Sequence, residues 1–164
     1  MDSFNFVSPT EFVFGKNREC EAGDLVARFG GTRVLVHYGS GSAVKSGLLD
    51  RVTSALDAKG LFHIELGGVK PNPRDTKIYE GIKLCKDNGI DFILSVGGGS
   101  CIDSSKGIAI GALYDGDFWD FYGTSKSVKK ALPIGTVLTI AAAGSEGSGA
   151  SVVTKEDGML KRDV

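Results

Sequence analysis

From residue 18 to residue 140 the sequence switches repeatedly between short apolar runs of strand type and longer runs with helical spacing, and this alternation limits the fold more than any other feature. Arg18 to Phe29 puts Leu25, Val26 and Phe29 on one helical face and ends at Gly30-Gly31. Arg33 to Tyr38 follows as a strand. Ala43 to Lys59 reads as one amphipathic helix with Val44, Leu48, Val52, Ala55 and Leu56 on its apolar side, and Phe62 to Leu66 as a second strand. Pro71-Asn72-Pro73 holds Asn72 extended, after which Asp75 to Asn88 is helical and stops at Gly89. A third strand through Phe92 to Val96 leads into a helix, and Ile134 to Ile140 is a fourth strand. The pattern predicts an α/β fold: a doubly wound, mostly parallel sheet with right-handed crossovers and helices on both faces. Outside the alternation, Ser3 to Val7 and Glu11 to Gly15, split by Ser8-Pro9-Thr10, predict an amino-terminal edge hairpin. Val152 to Thr154 and a partner near Leu160 predict a second hairpin around Glu156-Asp157-Gly158.

With 164 residues the chain supports one core and no second domain of ordinary size. Its net charge of −1, without a run of Lys or Arg, argues against a nucleic-acid surface; Lys126, Lys129 and Lys130 read as a solvated loop. No apolar run is long enough to span a bilayer, and Met1 to Phe14 lacks the basic start of a signal peptide, so no membrane partner is expected. Cys20, Cys85 and Cys101 are scattered, without CxxC spacing, which points to reduced thiols and a cytoplasmic setting.

The most informative segment is Asp91 to Gly107, where a buried-type strand runs into Gly97-Gly98-Gly99 and a helix opening at Ser100. Three glycines leave backbone N–H groups bare, and the helix aims its positive end at the same point, which makes a seat for a diphosphate. A tight turn is the competing reading, and one glycine suffices for that. Gly39-Ser40-Gly41-Ser42 and the stretch from Thr139 to Gly149 are further small-residue loops after strands, so the three loops are expected to converge on one crevice at the carboxyl edge. The spacing is not Gly-x-Gly-x-x-Gly, so the common dinucleotide fingerprint does not apply.

Four ordered motifs carry a resemblance over essentially the whole chain. They are the opening Phe-x-x-Pro-Thr-x-x-x-Phe-Gly, Pro71-Asn72-Pro73, the glycine seat with Asp103 and Lys106, and Gly144-Ser145-Glu146. Together they resemble the iron-containing (group III) alcohol dehydrogenases, and most of all their NADPH-dependent butanol dehydrogenase and aldehyde reductase branch. The resemblance implies that residues 1–164 form a Rossmann-like dinucleotide-binding domain. In the family a carboxy-terminal helical domain follows and carries one Asp and three His that bind a divalent metal, iron or zinc. The chain ends before the first of these, so a continuation is expected, and this portion is expected to bind cofactor without catalysing. His37 and His63 both sit in apolar strand runs, read as core or strand-end histidines, and cannot make a three-histidine site.

Carried over by position, Gly97, Gly98, Gly99 and Ser100 resemble the diphosphate loop and Asp103 the carboxylate near the nicotinamide end. Asp103 is also a residue that a helix dipole favours in a first turn with no ligand present. Lys106 reads either as a cofactor-side charge or as a solvated partner of Asp103. Gly39, Ser40, Gly41 and Ser42 match the segment around the adenosine ribose. A carboxylate there would repel a 2′-phosphate and none is present, so NADP is favoured over NAD. Ser42 also reads as a helix cap. Asn72 resembles the family's adenine-side asparagine; Thr139, Ile140, Ser145 and Ser148 resemble the nicotinamide-side loop; Lys161 resembles a lysine reaching back to the ribose. Ala143 and Ala141 stand where the family usually has threonine and often proline, which removes one cofactor hydrogen bond worth about 1 kcal/mol. Cys101, in the first helical turn, reads as buried filler or as a thiol activated by the dipole.

The implied activity is hydride transfer between NADP(H) and a small-molecule aldehyde or primary alcohol. A freestanding nucleotide-binding module and a relative of glycerol dehydrogenase or dehydroquinate synthase remain alternatives. The amino-terminal hairpin offers an edge for pairing with a second copy as a homodimer.

Overall fold

A computed structural model describes Ser3 and residues 8–164. Four strands form one sheet in the order β2-β1-β3-β4: β1 Arg33–Gly39, β2 Phe62–Val69, β3 Phe92–Gly97 and β4 Ile134–Leu138. All three pairings are parallel, with Val36 beside Glu65 and Leu94, and Leu94 beside Gly135. From β1 the chain crosses outward to β2, and from β3 it crosses the other way to β4. The strand order therefore reverses between β1 and β3, and a crevice opens there at the carboxyl edge.

Helices cover both faces. On one face α1 (Ala22–Arg28) and α3 (Leu48–Asp57) bury Val26, Leu49, Val52 and Leu56 against Val34, Val36, Phe92, Leu94 and Val96. On the other, α4 (Asp75–Asn88) and α5 (Gly99–Ala112) bury Ile78, Cys85, Ile108 and Ile110 against Leu35, Leu66 and Ile93. The alternation of these strand residues between the two cores is the period-two pattern of a sheet buried on both sides. The α4–α5 contact is close because glycines face isoleucines. A Cβ at Gly107 would lie 2.9 Å from Ile78 Cδ1, and one at Gly81 or Gly111 would overlap Ile108 or Ile82.

The expected elements form, with differences that have local causes. The helix read over Ala43 to Lys59 is two helices, α2 (Ser42–Lys45) and α3, because Gly47 takes a left-handed conformation at φ 68°. The break turns Val44 out of the apolar face, and it is 47% exposed. Strand β2 runs three residues past Leu66, whereas β4 ends at Leu138, two before Ile140. Asn72 is not extended: it has φ 54°, a left-handed conformation that asparagine tolerates better than most residues. Of the amino-terminal hairpin, residues 4–7 lie outside the described residues, and Glu11 to Gly15 forms no strand. The carboxy-terminal hairpin is present as β5 (Val152–Lys155) paired antiparallel with β6 (Leu160–Asp163). It is tied to the rest through Thr154 N–H to Pro73 O at 2.9 Å.

His37, fully buried in β1, is a satisfied core histidine. Its Nδ1 lies 2.8 Å from Leu66 O and its Nε2 2.8 Å from Ser104 Oγ, so one imidazole joins β1, β2 and α5. Burial pushes its pKa down to about 4. The unfolded chain, with an ordinary imidazole near 6.5, binds the proton first, so stability is complete above that pH and falls towards pH 4. Urea unfolding should show about 2 kcal/mol less stability at pH 5 than at pH 7. An unchanged midpoint would contradict the buried neutral imidazole.

Candidate functional site

The crevice floor is built where the first turn of α5 meets the ends of β1 and β3. Cys101 Sγ lies below both strand ends: a Cβ on Gly97 would overlap it, and one on Gly39 would stand 3.6 Å away. Gly97 is therefore required by the fold. Gly98, at φ −96° and ψ −168°, is in ordinary extended conformation, but a Cβ there would come 2.9 Å from Ile140 Cγ2. Gly99 differs from both, since a Cβ on it would meet nothing within 4 Å and its φ is not positive. Packing and backbone geometry give no reason for glycine at position 99, and its open side leaves room for a guest.

That guest would meet an uncapped helix. Gly98 is the cap residue of α5 and no side chain bonds to the first turn; the Cys101 N–H turns back to Gly98 O at 3.0 Å, which leaves the N–H groups of Gly99 and Ser100 and the dipole towards the crevice. Ser100 is the second helical residue rather than the cap. On the β1 side, Gly41 caps α2, again without a side-chain bond, and Ser42 lies inside the helix; Ser40 and Ser42 are both exposed. Ser42 is thus not a cap. On the β4 side, Thr139 N–H donates to Gly97 O at 3.1 Å, and Ile140, 63% exposed, lies over Gly98.

Asp103, one turn into α5, is already engaged. Its Oδ1 accepts from the Ser145 hydroxyl at 2.7 Å and its Oδ2 from Val152 N–H at 3.2 Å, while its carbonyl accepts from Ser151 Oγ at 2.8 Å. Lys106 is not a solvated partner of Asp103: it is buried, and its Nζ donates to Ser145 O at 2.7 Å, Ser145 Oγ at 2.8 Å and Ala150 O at 2.7 Å. Burial lowers its pKa, and the charges of Asp103 and Glu146 act the other way. Ser148 is exposed, its Oγ accepting from Ala150 N–H at 3.0 Å. Asn72 and Lys161 meet, Nζ donating to Asn72 Oδ1 at 2.8 Å, on the β2 side where the chain leaves the strand edge.

The residues singled out in the sequence therefore fall into three places. Gly97 to Ser100, Asp103, Thr139, Ile140 and Ser145 adjoin one another; Gly39 to Ser42 flank them across the switch point; Asn72 and Lys161 form a pair at the β2 end; Ser148 stays on the exposed outer part of its loop. Cys101 is buried filler, its thiol pKa raised by burial. The anchoring role of Lys106 was overlooked in the sequence. It stands in a helix whose sequence is apolar or small nearly all round, from Ile102 to Ala112, which leaves no solvent face for an ammonium.

No group of three or more His, Cys, Asp or Glu among the described residues could hold a metal ion. The residues described do not fit the metal that the family name implies. His37 is fully buried and bonded on both nitrogens, and His63 Nε2 lies 3.0 Å from Asp57 Oδ1, towards the opposite end of β2. No helix among the described residues is long and apolar enough to cross a membrane.

The fold and the glycine-lined crevice define an α/β domain of the doubly wound, Rossmann-like class. The chain belongs to the iron-containing alcohol dehydrogenase family, whose model matches residues 9–164. Among its relatives, NADH-dependent butanol dehydrogenase A of Clostridium acetobutylicum is 44% identical over 146 residues, covering 89% of this chain and 37% of that protein. The NADPH-dependent aldehyde reductase YqhD of Escherichia coli is 38% identical over 159 residues, covering 95% of this chain and 40% of that protein. The crystal structure of NADH-dependent butanol dehydrogenase A from Thermotoga maritima superposes with a TM-score of 0.97 at 41% identity, over 100% of this chain and 41% of that one. The chain thus spans roughly two fifths of the length of the relatives it matches.

Gly99→Ala separates the two readings of the glycine run. Its thermal midpoint should be no lower than that of the unaltered chain, because the added methyl meets nothing and alanine suits a helix better than glycine, while dinucleotide affinity measured by calorimetry should fall about tenfold. Unchanged affinity would reduce the three glycines to a turn.

Proposed function

We propose that this chain is the dinucleotide-binding domain of an NADP-dependent alcohol dehydrogenase or aldehyde reductase of the butanol dehydrogenase kind, moving hydride between NADP(H) and a small aldehyde or primary alcohol. The observation that carries this is the seat at Gly98 to Ser100: an uncapped helix N-terminus at the switch point, with a glycine at 99 that nothing in the fold requires. In this reading the seat's N–H groups hold the diphosphate, Gly39 to Ser42 border the adenosine ribose, and Thr139, Ile140 and Ser145 border the nicotinamide half. The adenine side is bounded by Asn72 and Lys161. The domain that would bind metal and substrate is not among these residues, so no carbonyl-polarising step is assigned to them. Exposed Phe12 and Phe14, at 64% and 101%, support a second copy covering the amino-terminal segment.

The preference for NADP rests on residues 39–42, where no carboxylate opposes a 2′-phosphate. A second reading, NAD, has support from two of the relatives above, whose names give NADH. Calorimetric titration with both cofactors decides between them. NADPH should bind more tightly, and Gly39→Asp should weaken NADPH far more than NADH. Equal or tighter binding of NADH by the unaltered chain would overturn the NADP assignment and leave the dinucleotide site standing.

A further inference from the structure

We propose that Lys106 is a positioning residue for the nicotinamide half of the bound dinucleotide, acting through the loop from Ala141 to Ala150. This rests on the dinucleotide reading above. The loop has little of its own to hold it: it consists of Ala, Gly and Ser apart from Glu146, and it carries no large apolar side chain to bury. Gly144, Gly147 and Gly149 make it costly to order. Among the described residues, every hydrogen bond from this loop to the rest of the chain ends on Lys106 or Asp103.

Counting protons fixes the state of that anchor. The Ser145 hydroxyl has one hydrogen, and the Asp103 carboxylate takes it at 2.7 Å. Ser145 Oγ therefore accepts from Lys106, as do the carbonyls of Ser145 and Ala150, so Nζ uses three hydrogens and is an ammonium. The result is a chain of donors from Lys106 through Ser145 to Asp103, with both ends on α5 one turn apart and the middle in the loop. The loop begins where Thr139 bonds Gly97, on the β4 side of the glycine seat, while Gly39 to Ser42 lie on the β1 side. A dinucleotide seated between them extends one half in each direction. Lys106 thus controls the geometry met by one half and not the other.

The test compares NADPH with 2′-phospho-ADP-ribose, which has the adenosine and diphosphate but no nicotinamide. With Lys106→Met, amide exchange across residues 141–150 should accelerate and NADPH affinity should fall about tenfold, the size of one lost charge-assisted hydrogen bond. Affinity for 2′-phospho-ADP-ribose should stay as in the unaltered chain. Ser145→Ala, which removes one hydroxyl and leaves the two carbonyl bonds, should give the same split to a smaller degree and serves if Lys106→Met does not fold. Equal losses for both ligands, or none for either, in the folded variants would overturn the positioning role alone. Failure of the unaltered chain to bind any of NADPH, NADH, ADP-ribose and 2′-phospho-ADP-ribose would overturn the dinucleotide reading itself.

Discussion

The depth to which α5 is driven into the rest of the domain decides almost everything at the carboxyl edge. From Cys101 to Gly111 the helix is buried except at Asp103, with Ile102 and Ile108 each excluding an area worth about 2 kcal/mol. Gly107 and Gly111 let it approach α4 closely, and Gly97 lets its first turn approach the ends of β1 and β3 over the Cys101 sulfur. A helix so placed cannot hide its polar groups in water, and three of them find protein partners: Ser104 on His37, Asp103 on Ser145 and Val152, Lys106 on the 145–150 loop, while the buried Ser105 hydroxyl has none. The same constraint leaves the N–H groups of its first turn facing the crevice with no side chain to satisfy them.

The carboxyl edge thus shows a division of labour. Gly97 serves packing. Gly99 serves no packing contact, and its bareness reads as room for a ligand. Asp103 serves the fold as well as any ligand, because its carboxylate fastens both the 145 loop and the start of β5. A carboxylate already holding two donors presents a fixed orientation to whatever binds beside it.

Much of this was legible in the sequence because it depends on local chemistry. Alternation of apolar runs gave the four parallel strands and their helices, and Gly89 gave the end of α4 where the period stops. His37 was legible as a core histidine from its strand surroundings. What stayed hidden depends on a single backbone angle or on contacts between distant residues. Gly47 breaks a helix whose apolar period continues across it, and Asn72 turns left-handed despite the proline after it. The Lys106 to Ala150 bond joins positions 44 residues apart, and the Asn72 to Lys161 bond 89 apart; no spacing rule reaches that far. The motif resemblance supplied the family, which the comparisons support, while the choice between NADP and NAD rests on the absence of one carboxylate and divides the relatives themselves.

The central claim is that the bare first turn of α5 is the seat of a dinucleotide diphosphate. Assigned amide resonances followed through a titration with NADPH test it most directly. The account predicts saturable shifts that are largest at Gly98, Gly99 and Ser100, with smaller ones at Gly39 to Ser42 and in the 139–150 loop. Shifts confined to another surface, such as the hollow beside Cys20, Asp50 and Arg51, or none at saturating NADPH and none at saturating NADH, would contradict it.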